Sequence, residues 1–301
     1  MSSDRTYSSV VLVKQVPDTH NVTGEVMKED GTMNRGALPA IFNPEDLNAL
    51  EMALQVRELM GGQVTVLTMG PPSAAEVLRE ALYRGADRVI LLTDRRFAGA
   101  DTLATSYALT CALQKLDAFD LVFCGRQAID GDTAQVGPQT AEKMGIPQVT
   151  YAESIVSLTG DEIVVERALA QGSEVVKCSL PCLLTVVASA NQPRPPSVRK
   201  RIEFKLAATP LEYPTLLKRY PQFKSEEELD SYLAARNLQI PVWTVDDIEV
   251  DQDKIGLAGS PTQVHKINFV VLEMTESKDV AATQDGIVAL IQELVQEYIV
   301  G

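Results

Sequence analysis

Four short runs of apolar, often β-branched residues, separated by stretches with helical periodicity, limit what this chain can fold into more than any other feature. They are Ser9-Val-Val-Leu-Val-Lys14, Gln63-Val-Thr-Val-Leu-Thr68, Arg88-Val-Ile-Leu-Leu-Thr93 and Phe119-Asp-Leu-Val-Phe-Cys124. Runs this short, apolar on successive residues rather than alternate ones, fit strands buried on both faces. Between the first two, Ala49, Ala53, Val56 and Met60 share a helical face, with Leu50 and Leu54 beside them. The alternation predicts an α/β fold: a doubly wound, mostly parallel sheet, covered on both faces and wound with right-handed crossovers.

Helix ends can be read from local chemistry. Asn43 is placed to cap the first helix, with Pro44 in its first turn and Glu45 and Asp46 at the positive end of the dipole, and Gly61-Gly62 stops it. Ser73-Ala-Ala-Glu76 has capping-box spacing for a second helix that closes near Gly85, and a third is expected from Asp101 to about Leu116. From Gln148 to Ala188 three further apolar runs, with Gly160 and Gly172 at turns, suggest extra strands finishing the same domain. Asn191-Gln-Pro-Arg-Pro-Pro196 interrupts regular structure. Residues 1–204 are therefore expected to form the α/β domain and 205–301 a less periodic arm, with a charged helix near Ser225–Arg236. A last helix carries Ile287, Leu290, Ile291, Leu294 and Tyr298 on one face, which must be buried against its own domain or another subunit.

Composition removes options. A formal net charge of −14 repels nucleic-acid backbones and anionic lipid surfaces. Cys111, Cys124, Cys178 and Cys182 form no CxxC pair, and two histidines, His20 and His265, are too few for a histidine-rich metal site. The chemistry is thus expected to belong to a cofactor. The N-terminus has no basic segment followed by a long apolar run, and no window reaches the roughly 20 apolar residues of a membrane span, so a cytoplasmic location without membrane insertion is expected. The sequon at Asn21-Val22-Thr23 then reads as a chance match.

Ligands of parallel sheets sit at the carboxyl ends of the strands. The richest rim segment is Cys124-Gly-Arg-Gln-Ala-Ile-Asp-Gly-Asp-Thr-Ala-Gln-Val-Gly-Pro-Gln-Thr-Ala-Glu-Lys143, where small and hydroxyl residues lie between a strand end and a helix start. Free amides and the helix dipole there suit a pyrophosphate, although Gly and Thr are also what an ordinary strand-to-helix connection uses. Asp130 and Asp132 could suggest a metal or phosphatase site, but Ala134 stands where an Asp-x-Asp-x-Thr motif needs Thr or Val, which favours helix capping or ribose binding. A second opening, Phe97-Ala-Gly-Ala-Asp101-Thr102-Leu-Ala-Thr105-Ser106, is also rich in hydroxyls. Two such openings on one rim suggest an extended cofactor with two phosphates, while a plain helix cap by Asp101 or Thr102 is the simpler reading.

These segments carry a family resemblance. Val13-Lys14-Gln-Val-Pro-Asp18, Asn43-Pro-Glu-Asp46, Gly85-Ala-Asp-Arg88, Gly125-Arg-Gln-Ala-Ile-Asp130 with Thr133, Gln135, Gly137 and Thr140, and Val165-Glu-Arg167 occur in the order found in electron-transfer flavoprotein beta subunits, across roughly residues 9–204. The Gly125–Thr140 stretch is the most specific. The resemblance implies a heterodimer with an alpha subunit. It also implies a nucleotide held by Asn43, Pro44, Glu45, Asp46, Met69 and the loop Ala128, Ile129, Asp130, Gly131, Asp132, Thr133, Ala134, Gln135, Val136, Gly137, Pro138, Gln139 and Thr140, with backbone near Leu12 closing on the adenine.

Two branches of the family differ in that nucleotide: a structural AMP in the mitochondrial-type branch, FAD in the electron-bifurcating branch. The Arg96–Ser106 segment and Gly256-Leu-Ala-Gly-Ser-Pro-Thr-Gln263 resemble the bifurcating branch, which implies that Asp101, Thr102, Thr105 and Ser106 meet the FMN half of FAD. Arg126 is then a candidate electrostatic partner of the flavin, and no side chain is assigned as a catalyst. By the same resemblance NADH is the transient donor, and electrons pass to a partner flavin dehydrogenase, acyl-CoA dehydrogenase-like or of lactate dehydrogenase type, and to ferredoxin or flavodoxin. The partner-recognition region corresponds to Ala188–Arg201, where Pro195 and Pro196 depart from the family pattern. The alternatives are an AMP-containing carrier without its own redox centre and, from another class, a nucleotide-binding sensor or ATP-dependent enzyme of related fold.

Overall fold

The computed structural model describes residues 5–18, 39–262 and 279–296. The elements, in chain order, are β1 Ser9–Val13, β2 Gln15–Pro17, β3 Ala40–Phe42, α1 Pro44–Met60, β4 Val64–Met69, α2 Ala75–Arg84, β5 Arg88–Leu92, α3 Thr102–Lys115, β6 Leu121–Gly125, α4 Val136–Met144, β7 Gln148–Thr159, β8 Glu162–Leu169, β9 Gly172–Ser179, β10 Cys182–Val186, α5 Val198–Glu203, α6 Tyr213–Arg219, α7 Glu226–Ala234, β11 Val242–Trp243 and α8 Gln284–Gln296. The four apolar runs form β1, β4, β5 and β6, as their composition requires. Every residue of β1, β6 and β10 is buried.

These strands belong to a nine-stranded sheet of order β11-β5-β4-β1-β6-β10-β7-β8-β9. Pairing is parallel from β11 through β7 and antiparallel from β7 through β9, a meander in which β8 alone runs against the other strands of the sheet. Alternation along each strand feeds two core layers. Val11 and Val13 point into the layer under α1 and α2, with Leu50, Leu54 and Leu78. Val10 and Leu12 point into the layer under α3 and α4, with Leu113 and Ala141. Each fully buried aliphatic side chain contributes about 1.5–3 kcal/mol, which is why continuous apolar runs rather than alternating ones specify these strands.

Three local expectations are corrected. Asn43 does not cap α1: its side chain donates to Gln127 O and accepts from Ile129 N, so it ties the helix start to a loop across the sheet. Ser73 forms no capping box with Glu76, because its hydroxyl is taken up by Gln15 Oε1. The run expected to end near Ala188 is two strands, β9 and β10, divided at Leu180-Pro181, since proline cannot extend a ladder. By contrast α3 starts as expected, with Asp101 Oδ1 accepting from the amides of Leu103 and Ala104.

Beyond residue 205, Ala207, Ala208, Leu229, Leu233, Leu238 and Ile240 join the first core layer, and β11 lengthens the sheet beside β5. Ser225 caps α7, the expected charged helix. In α8, Ile287, Val288, Ile291 and Val295 are exposed. Tyr298, the Asn21 sequon and both histidines lie outside the described residues.

Candidate functional site

The carboxyl ends of β1, β4 and β6 open into a cleft of about 540 Å³, within the size range of cofactor sites. Of the residues expected in the site, Leu12, Asp46, Met69, Asp101, Thr102, Thr105, Arg126, Ala128, Asp130, Gly131, Asp132, Thr133, Ala134, Gln135, Val136 and Gly137 line it. Asn43, Pro44, Glu45, Ser106, Ile129, Pro138, Gln139 and Thr140 do not. Ser106 and Thr140 are fully buried, with hydroxyls donating to Leu103 O and Val136 O. Val13, Lys14, Phe97, Gly99, Ala100, Leu109, Cys124, Gly125 and Gln127 also line the cleft. All but Leu109 fall in segments already quoted from the sequence, although none of the nine was singled out there as a site residue.

The floor is fastened by the first turn of α1. Asp46 accepts from Lys14 N at 2.8 Å and from Gly125 N at 2.9 Å, so one carboxylate joins the ends of two adjacent strands. Glu45 accepts from Gln127 N at 3.0 Å and pairs with Arg126 at 3.0 Å. The two acids, expected to complement the helix dipole and, by the resemblance, to help hold a nucleotide, fasten the loop after β6. Complete burial pushes the Asp46 carboxyl up to about 7, against the lowering effect of hydrogen bonds from Gly125, Asn43 and Lys14. Burial, with the nearby Asp46 charge, also pushes the Cys124 thiol up.

Gly125 is needed for this approach, since a Cβ there would lie 2.5 Å from Asp46 Oδ1. The wall formed by residues 126–135 turns sharply, with Asp132 and Ala134 in the left-handed region at φ 49° and 52°. Asp130 pairs with Lys14 Nζ at 2.7 Å and Asp132 accepts from Gln127 Nε2 at 2.8 Å, so neither caps α4 as expected. Among the described residues no group of three or more His, Cys, Asp or Glu could hold a metal ion.

The two helix openings differ. No side chain caps α4, and its first two residues, Val136 and Gly137, line the cleft. An uncapped helix start on a cleft wall suits an anionic phosphate. At α3 the amides of Leu103 and Ala104 are already taken by Asp101, whose carboxyl lies below the usual range: burial raises it, but the amides of Ala104, Thr262 and Leu103 outweigh that effect. The α4 opening is therefore the uncapped one, whereas the α3 opening is capped and brings Thr102 and Thr105 to the cleft. The openings are joined by Thr102 Oγ1 to Gln135 Oε1 at 2.8 Å and Ser106 Oγ to Gln139 Oε1 at 3.2 Å.

A parallel α/β sheet with a strand-end cleft, one free helix start and a row of hydroxyls is a scaffold of the kind that holds a phosphate-bearing cofactor. Residues 30–209 match the family model described as the electron transfer flavoprotein domain. The chain belongs to the electron transfer flavoprotein family, as a beta subunit. It is 46% identical over 255 residues to an electron transfer flavoprotein subunit beta of Thermoanaerobacterium thermosaccharolyticum, covering 85% of each chain. It is 42% identical over 258 residues to the caffeyl-CoA reductase-Etf complex subunit CarD of Acetobacterium woodii, covering 85% of this chain and 86% of the other. Identity to the acryloyl-CoA reductase electron transfer subunit gamma of Anaerotignum propionicum is 40% over 299 residues, 96% of this chain and 98% of the other. Beta subunits of this family pair with an alpha subunit. Among the described residues no helix is long and apolar enough to cross a membrane.

Proposed function

We propose that this chain is the FAD-holding beta subunit of an electron-bifurcating flavoprotein, with NADH as transient donor. A flavin dehydrogenase and a ferredoxin or flavodoxin are its two acceptors. The observation that carries this reading is the pair of unlike openings on one cleft, an uncapped α4 start and a hydroxyl-bearing α3 start. When bound, FAD supplies hydride acceptance and one-electron transfer.

The chain's own residues supply place and environment. The α4 amides at Val136 and Gly137 suit the pyrophosphate. Thr102 and Thr105, both lining the cleft at the start of α3, suit the polar edge of a flavin ring, and Phe97 and Leu109 keep that end of the cleft apolar. Arg126, fixed by Glu45, brings a positive charge to the cleft wall. AMP alone would need only the α4 end, so the second opening favours the longer nucleotide. The CoA-thioester reductase names of two relatives support an acyl-CoA dehydrogenase-like partner. The exposed apolar face of α8 fits the part of the 205–301 arm that docks on the alpha subunit, while the arm's earlier part, through β11, packs back on the α/β domain.

Flavin and AMP content of the co-purified alpha–beta pair tests the reading. Two FAD per heterodimer, with absorbance bleached rapidly by NADH, is the expected result. One FAD with one AMP and no response to NADH would make the chain a non-bifurcating carrier.

A further inference from the structure

Residues 251–262 fold back over the α3 opening, and the contacts that hold them there form a lock. Asp251 N donates to Tyr107 Oη at 2.9 Å, and Ile255 is buried in the core layer under α3. Gly256 takes φ +54°, and a Cβ there would sit 2.0 Å from Arg96 O. Ser260, almost fully buried, donates from Oγ to Gly256 O at 2.6 Å and accepts from Asp101 N at 2.8 Å. Thr262 N donates to Asp101 Oδ2 at 3.1 Å.

Asp101 therefore has every polar group of its backbone amide and carboxylate engaged. Oδ1 holds the start of α3, while Oδ2 and the amide hold the 251–262 segment. Ser260 and Thr262 do not line the cleft; they reach it through Asp101 and, for Ser260, also through Gly99 O at 3.4 Å. No hydrogen bond joins residues 251–262 to the 125–137 loop among the described residues. The segment thus acts on one end of the cleft, the hydroxyl end at Thr102 and Thr105, and leaves the amides of α4 alone.

We infer that residues 251–262 are a clasp that sets nucleotide specificity: by holding Asp101 and the α3 opening in place, they let the cleft take FAD in preference to AMP. This rests on the nucleotide reading above. Ser260 is a positioning residue, because it acts through Asp101 on Thr102 and Thr105. A cofactor that reaches only the α4 amides does not register whether the clasp is closed. One that extends to the α3 opening does.

The test uses two substitutions in the full-length chain freed of bound nucleotide. Ser260→Ala removes the acceptor of Asp101 N from outside the cleft. Asp101→Asn keeps an oxygen for Leu103 and Ala104 but turns an NH2 toward Thr262 N, so it cuts the clasp while sparing the cap. FAD and AMP are titrated separately, and hydrogen exchange is followed across residues 96–106 with no nucleotide present. Losing a buried hydrogen bond of this kind is expected to weaken FAD about tenfold, with AMP within about twofold of wild type and faster exchange at 101–106 in both variants. Unchanged FAD affinity, or AMP weakened as much as FAD, would overturn the inference. A wild-type chain that binds neither nucleotide overturns the nucleotide reading itself, and the clasp's role falls with it.

Discussion

Replacing Asp46 by Asn should make the stability difference between variant and wild type change sign with pH. The carboxylate is almost inaccessible and its burial lifts it from an ordinary carboxyl value to about 7. At about 1.36 kcal/mol per pH unit, that rise corresponds to about 4 kcal/mol. Below about pH 4 the folded and unfolded chains both carry the proton. Between about pH 4 and about 7 only the folded chain keeps it, so the folded state binds more protons and stability falls as pH rises through that window. Above about pH 7 both states are ionised and the loss is complete.

Asn removes this titration but cannot reproduce both hydrogen bonds. One of its termini accepts, and the other sets an NH2 against the amide of Lys14 or Gly125, at a cost of about 1–3 kcal/mol. Wild type should therefore be the more stable protein near about pH 4, where the folded and unfolded chains are both largely protonated. Its advantage should shrink by about 4 kcal/mol between about pH 4 and about pH 7, leaving D46N the more stable at about pH 8. Urea unfolding free energies of both proteins at half-unit pH steps give the comparison directly. Parallel curves from pH 5 to pH 8 would refute the argument, because they would mean that Asp46 is ionised throughout.

Three further substitutions probe other parts of the scaffold. Gly125→Ala puts a methyl 2.5 Å from Asp46 Oδ1 and 2.8 Å from Asp46 N, and should lower stability by about 1–3 kcal/mol and impair nucleotide binding, read by thermal melting and titration. Arg194→Met strands Glu51, whose side chain is 7% exposed. Because Arg194 is itself 29% exposed, the expected loss is about 2–3 kcal/mol rather than the full value of a buried pair. Adding Glu51→Gln removes the stranded charge, so a double-mutant cycle by chemical denaturation should show partial recovery. Ile291→Asp on the exposed face of α8 should leave the melting temperature of the isolated chain unchanged and reduce co-purification with the alpha subunit.

The strands were legible because burial on both faces leaves continuous β-branched runs, and α3 was legible because Asp101 caps it from the adjacent position. The roles of Asn43, Glu45 and Asp46 were not. As a local pattern the three residues read as a helix start, whereas their partners at Gly125, Gln127 and Ile129 lie about eighty residues away and come together only when β1 and β6 pair. The cleft wall was found by its small and hydroxyl residues, but its inner lining at Leu109 is apolar, lies mid-helix and looks like core in sequence. Whether a helix start is free or occupied also escaped the sequence: Asp101 and Gln135 precede comparable openings, and only the first turns its side chain back onto the amides.

The place of β10 has a consequence for how the molecule comes into being. The strand lies between β6 and β7, yet it follows the whole β7–β9 meander along the chain. During synthesis β6 therefore emerges with one side unpaired, and it stays so until residues 182–186 arrive and seat between it and β7. A nascent chain halted anywhere between 126 and 181 would hold the loop after β6 on an open sheet edge, a surface prone to pairing with other chains. The meander is thus not a separable ornament on a finished nucleotide-binding half. It is the tether that delivers the strand on which that half closes.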